Sequence, residues 1–124
     1  MKIKAEFYVL PEIQFVGGEA QDLYFSFIRT NGEEAELVSA TGKFSVCEYV
    51  NKSETPLISK YGTIAKSEND VYNTLRVQLT PSETINLSGK YIYQITLKDT
   101  KGNYLIPNQG LVYVIQNIDK NAIS

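Results

Sequence analysis

The stretch Leu87-Ser88-Gly89-Lys90-Tyr91-Ile92-Tyr93-Gln94-Ile95-Thr96-Leu97 restricts the fold more than any other part of the chain. Tyr91, Tyr93, Ile95 and Leu97 share one face of an extended backbone, and Ile92, Gln94, Thr96 and Lys98 share the other. A strict period of two is the mark of a half-buried strand, and a helix cannot place these residues on one face. The lead-in Leu-x-Gly-x-Tyr predicts a tyrosine corner, in which Tyr91, at the start of the strand, hydrogen-bonds back across the preceding turn.

The same alternation recurs along the chain. Residues 3–10 set Ile3, Ala5, Phe7 and Val9 against Lys4, Glu6 and Tyr8, until Pro11, which has no amide to give a ladder, ends the strand. Val16-Gly17-Gly18-Glu19 reads as a flexible connection. Residues 21–30 point Leu23, Phe25 and Phe27 one way and Tyr24, Ser26 and Ile28 the other. Asn31-Gly32 is a hairpin signal, but the polar Glu33-Glu34-Ala35-Glu36 after it predicts a longer connection.

Residues 42–50 form a third strand with Phe44 and Val46 inward, and Asn51-Lys52-Ser53-Glu54-Thr55-Pro56 is a turn cluster. Residues 57–66 alternate poorly around Gly62, which predicts an edge position or a bulge. Residues 71–79 put Val71, Leu75, Val77 and Leu79 opposite Tyr72, Thr74, Arg76 and Gln78. Pro81-Ser82-Glu83-Thr84 suits a single helical turn where the chain crosses between sheets. After the strand at 87–98, Asp99-Thr100-Lys101-Gly102-Asn103 predicts a hairpin turn with Gly102 free to take positive φ. Residues 104–116, interrupted by Pro107 and Gly110, end in Leu111-Val112-Tyr113-Val114-Ile115, apolar on both faces, so a covered outer face is expected.

Roughly seven short strands separated by turn clusters predict an all-β fold, an immunoglobulin-like antiparallel β-sandwich. At 124 residues the chain is long enough for one self-sufficient core, with residues 1–116 as the sandwich domain and 117–124 as a polar tail. Nine Tyr and five Phe without Trp favour strands. Fourteen acids against twelve bases, a net charge of −2, argue against a nucleic-acid partner, which demands clustered cations. No apolar run approaches the ~20 residues of a spanning helix, so no membrane partner is expected. The first residues are charged and alternating, without the apolar core of a signal peptide. Asn51-Lys52-Ser53 and Asn86-Leu87-Ser88 match the glycosylation sequon and, without a secretion signal, read as chance matches.

Catalytic chemistry has little to stand on. The chain has no histidine, which removes the commonest general base and metal ligand and every imidazole-based triad. Cys47, the single cysteine, has no partner for an internal disulfide, and Glu48 beside it disfavours a thiolate, so it reads as structural. Glu33, Glu34 and Glu36 are the densest acidic group, yet they match neither a calcium loop nor a glycosidase pair and read as a solvated connection. Gly17-Gly18 lacks the Lys-Ser/Thr of a phosphate loop. The expectation is a non-enzyme with no metal and no cofactor.

Interaction surfaces are better represented. Tyr8, Tyr24, Ile28, Tyr72 and Arg76 all point outward from strands that share a sheet in an immunoglobulin-like topology, and Tyr113 lies in the two-faced apolar strand. Tyr and Arg are enriched where proteins meet, although tyrosines on strands also serve plain cross-strand packing. These six residues are the candidate interface.

A set of spaced features carries a resemblance. Asp22-Leu23-Tyr24-Phe25-Ser26-Phe27 is followed by Arg29-Thr30-Asn31-Gly32, then by Leu37-Val38-Ser39-Ala40-Thr41-Gly42-Lys43-Phe44. Leu57-Ile58-Ser59-Lys60, Leu87-Ser88-Gly89-Lys90-Tyr91 and Asp99-Thr100-Lys101-Gly102-Asn103 come later. The pattern resembles the N-terminal domain of the baseplate upper protein family of phages of Gram-positive bacteria. The resemblance implies a non-catalytic structural or adaptor protein of a virion, made in the bacterial cytoplasm. Such a protein docks through sheet faces and edges to other phage structural proteins and forms a homo-oligomer. Family members continue into a long adhesin-bearing part, whereas this sequence stops at Ser124, so a stand-alone virion protein or assembly adaptor is an equal expectation. The alternative is a module for host-surface carbohydrate, with Tyr49, Tyr61 and Tyr104 near loops as glycan platforms.

Overall fold

The computed structural model describes residues 2–6, 10–28, 37, 40–50, 55–66, 69–105 and 109–119. Their strands are β1 (Lys2–Glu6), β2 (Ile13–Val16), β3 (Gln21–Ile28), β4 (Thr41–Glu48), β5 (Ile58–Tyr61), β6 (Thr63–Lys66), β7 (Tyr72–Leu79), β8 (Gly89–Lys98), β9 (Tyr104–Leu105) and β10 (Gln109–Ile115). One short helix, α1 (Pro81–Thr84), joins β7 to β8. The smaller sheet has the order β1-β3-β7-β6 and the larger the order β2-β10-β8-β4-β5, with the two-residue β9 beside β8. One of the two sheets is curled into a half-barrel.

The protein is all-β, but its sheets are mixed rather than antiparallel. β1 runs parallel to β3, with Ile3 opposite Phe25, and β2 runs parallel to β10, with Val114 opposite Phe15. The remaining pairs are antiparallel. A period of two is the same in either direction, so alternation alone does not distinguish them.

The strand count rises above seven because one short strand is added and two expected segments are divided. β1 lies in the smaller sheet, and Ile13–Val16 is a further strand, in the larger one. Ile13 and Phe15 are both buried there, in a short strand that the alternation did not assign, and Val16, expected in a connection, ends it. Residues 57–66 divide at Gly62: β5 pairs with β4 in the larger sheet and β6 with β7 in the smaller. A β-carbon at Gly62 would lie 2.6 Å from the Arg76 carbonyl oxygen, and the Gly62 amide donates to the Gly42 carbonyl at 2.9 Å. Glycine is therefore required where one chain turns between two sheets. The last segment is β9 and β10, with Pro107 outside the described residues.

The core lies between the sheets and is built from the faces that alternation assigns inward. Leu23, Phe25 and Phe27 of the smaller sheet meet Phe44, Val46, Tyr93, Ile95 and Leu97 of the larger, all buried. At its centre the rings of Phe25, Phe44 and Tyr93 stand 5.7–5.8 Å apart in tilted pairs. Tyr93 is completely buried, and its hydroxyl donates to the Pro11 carbonyl at 2.6 Å. Burial pushes the phenol's pKa up, so it stays a donor. Gly110 sits opposite Tyr93, and a β-carbon there would come within 2.5 Å of the ring.

Local chemistry closes the ends. α1 carries a capping box, with the Glu83 carboxylate accepting from the Thr80 amide at 2.8 Å. Lys60 of β5 reaches the same carboxylate at 2.9 Å, tying the larger sheet to the crossover. Burial raises the Glu83 pKa, but the bonds from Thr80 and Lys60 outweigh it and leave a net lowering. At the β8–β9 turn, Asp99 accepts from the amides of Lys101 and Asn103, each at 2.9 Å, and Gly102 has φ +86°.

Tyr91 and Tyr93 provide a graded test. Gly89 takes φ +96°, and the Tyr91 hydroxyl accepts from the Ser88 amide at 3.0 Å and donates to the Ser88 carbonyl at 3.1 Å, at a site open to water. Tyr93→Phe leaves the half-buried Pro11 carbonyl without its donor and is expected to cost about 1–3 kcal/mol. Tyr91→Phe is expected to cost at most about 1 kcal/mol, since water replaces the lost partner. Urea unfolding of both variants checks the order.

Candidate interaction surface

The outward residues of the smaller sheet assemble around one arginine. Leu23, Phe25, Leu75 and Val77 turn into the core, so Asp22 and Tyr24 on β3 and Arg76 on β7 turn out. Tyr24 and Arg76 are direct cross-strand partners, and Asp22 lies on the diagonal. The Arg76 Nε donates to Asp22 Oδ1 at 2.9 Å and Nη2 to Oδ2 at 2.8 Å. The guanidinium stands 5.4 Å from the centre of the Tyr24 ring, whose hydroxyl donates to Asp22 Oδ2 at 3.2 Å. Three side chains thus hold one another in a single arrangement on a rigid sheet.

The charges follow from that geometry. Hydrogen bonds from Arg76, its positive charge and the Tyr24 hydroxyl hold the Asp22 carboxyl below its ordinary pKa against some desolvation. Asp22 in turn raises the Arg76 pKa further. The cluster is charge-compensated in itself, so a partner covering it would not have to neutralise a bare ion.

Ile28 and Tyr72 lie farther along the same sheet. Ile28 is paired with Glu6 of β1. Tyr72 is packed by Lys66, whose ammonium lies 5.1 Å from the ring centre. Between these residues and the arginine cluster, the Ser26 and Thr74 hydroxyls approach to 3.3 Å, and Thr74 donates to Asn73 Oδ1 at 2.8 Å. Tyr8 lies outside the described residues, as do Glu33, Glu34 and Glu36. Tyr113 belongs elsewhere, on the outer face of the larger sheet with Ile115, where both are exposed. β10 is an interior strand of that sheet, so Val112 and Val114 are buried while Tyr113 and Ile115 stand uncovered on its outer face.

Asp22 was not among the sequence candidates. Its signal was the i, i+2 spacing to Tyr24, which places a carboxylate and a phenol on one face opposite an arginine. Cys47 is a free thiol, half-buried beside Ile92. Tyr61 and Tyr104 share the outer face of the larger sheet, while Tyr49 follows the far end of β4. Among the described residues no three His, Cys, Asp or Glu gather as a metal site, and no helix is long and apolar enough to cross a membrane.

Asp22 gives the cluster a pH dependence of fixed sign. Because its folded pKa is lowered, its contribution is complete above the ordinary aspartate range and is lost as pH falls through the folded value. Asp22→Asn should therefore be less stable than the parent chain at neutral pH, and the gap should close in acid. Thermal melts of the pair from pH 7 to pH 2 measure it.

No protein-family model and no curated protein matches the sequence. Among solved structures the chain is similar to the N-terminal domain of phage TP901-1 ORF48, with a TM-score of 0.58 and 8% sequence identity. The similarity covers 93% of this chain and 97% of that one. At this identity what the two share is the fold.

Proposed function

We propose that this chain is a non-catalytic structural or adaptor module of a phage virion, in the tail or baseplate. In this reading it docks on other phage structural proteins through the outer face of its smaller sheet. The observation that carries the reading is the fold shared, over 93% of this chain, with the N-terminal domain of phage TP901-1 ORF48. The Asp22–Tyr24–Arg76 cluster supplies the docking chemistry. Its arginine and tyrosine are types that anchor interfaces, and their mutual bonds reduce the side-chain entropy lost on association. Ile28 and Tyr72 extend the surface. The assembly is a homo-oligomer or a complex with other virion proteins, in several symmetric copies.

Light-scattering chromatography over a concentration series tests this reading, with and without the other virion proteins. A discrete oligomer or complex is expected. Tyr24→Ala or Arg76→Ala should weaken it at least tenfold while the variant stays folded, with a loss of thermal stability for Arg76→Ala no larger than that of Asp22→Asn. A chain that stays monomeric throughout and joins no virion protein would overturn the reading, as would variants that assemble like the parent.

A further inference from the structure

The outer face of the larger sheet carries a second constellation, which docking through the smaller sheet leaves unused. Lys43 on β4 is directly opposite Tyr61 on β5 and Thr96 on β8. Lys98 on β8 is directly opposite Thr41 on β4 and Tyr104 on β9. Their sequence neighbours Phe44 and Leu97 are buried in the core, so all six of these residues stand on the outer face. We propose that this end of the sheet is a binding site for an acidic saccharide: sugar rings stack on Tyr61 and Tyr104, and an anionic group lies between Lys43 and Lys98. The proposal goes beyond the docking role and does not depend on it.

The lysines motivate the anion. They occupy diagonal cross-strand positions, with α-carbons roughly 7–8 Å apart. Neither has a carboxylate partner among the described residues. The nearest acid in sequence, Asp99, is engaged by the amides of its own turn. Each ammonium lies instead over a tyrosine on its own flank, 5.5 Å from the Tyr61 ring centre and 5.3 Å from that of Tyr104. Two uncompensated like charges on a chain of net charge −2 are an arrangement that a shared anion relieves.

The aromatics and the floor motivate the sugar. Tyr61 is 74% exposed and Tyr104 63%, far beyond what cross-strand packing needs. They stand on strands separated by three strand spacings, about 14 Å, a span for a short run of sugar rings. Between them the surface offers the Thr41 and Thr96 hydroxyls. Behind Thr96 runs a chain of amides, with Gln94 donating to Thr96 at 3.3 Å and Gln109 to Gln94 at 3.0 Å. Amides and hydroxyls match the donor and acceptor pattern of a polyol. A single-stranded nucleic acid would also use tyrosines, but it needs a run of cations along its backbone, and at this end of the face Lys43 and Lys98 form a pair rather than a run.

Calorimetric titration of the full chain tests the proposal with hexagalacturonate, a phosphorylated oligodextran, the methyl ester of hexagalacturonate and a ten-residue oligothymidylate. At least one acidic saccharide should bind saturably, and whichever is preferred identifies carboxylate or phosphate as the group recognised. The ester should bind at least tenfold more weakly than its parent acid. Tyr61→Ala, Tyr104→Ala and the double change Lys43→Ala with Lys98→Ala should each lower affinity tenfold or more without altering the melting curve, since these side chains lie outside the core. Lys90→Ala, at the other end of β8, should bind as the parent does. Absence of binding to both acidic saccharides would overturn the proposal. So would equal binding of acid and ester, affinity unmoved by the variants, or tighter binding of the oligothymidylate.

Discussion

The contact of Phe25, Phe44 and Tyr93 is the constraint on which the rest of the molecule depends. One ring comes from the smaller sheet and two from the larger, so their packing sets how the two sheets meet. A phenol in that position brings a polar atom into the core, and burying it unpaired would be destabilising. The Pro11 carbonyl meets the need. Pro11 lies where the chain passes from β1 in one sheet to β2 in the other, so the bond also fixes that crossing. Gly110 completes the arrangement by leaving the space the ring fills.

Crossings between sheets recur along the chain, at β1 to β2, β2 to β3, β3 to β4, β5 to β6 and β7 to β8. The Tyr93–Pro11 bond fixes the first of them, and Gly62 makes the one between β5 and β6. The strands beside those two are short: β2, β5 and β6 have four residues each. Short edge strands offer little template for further strand addition. In the docking proposal, association falls to the broad outer faces, and those faces differ. The smaller sheet presents a charge-compensated arginine cluster, while the larger presents Lys43, Lys98, Tyr61 and Tyr104 at one end and Lys90, Tyr113 and Ile115 at the other.

Features set by a residue and its near neighbours were legible in the sequence. The inward face of residues 87–98, the helical turn at Pro81–Thr84 and the Asp99 turn with Gly102 all follow from local patterning and local bonds. Features set by the arrangement of strands were not. Parallel and antiparallel neighbours share a period of two, so the direction of β1 and β2 was invisible. The poor alternation around Gly62 did match edge strands, which β5 and β6 both are, but nothing local showed that the chain changes sheets there. Ile13 and Phe15 gave too short an alternation to separate a four-residue strand from a loop. The candidate surface shows the same limit. Tyr24 and Arg76 were assigned outward by alternation alone, but placing Tyr113 on the opposite side of the molecule required the sheet order.

The most direct test of the docking account is hydroxyl-radical footprinting of the tyrosines, comparing the free chain with the assembled particle. If the smaller sheet's outer face is the docking surface, labelling of Tyr24 and Tyr72 should fall several-fold on assembly while Tyr61 stays as reactive as in the free chain. Equal labelling of Tyr24 and Tyr72 in both states, or protection confined to the larger sheet, would contradict the account.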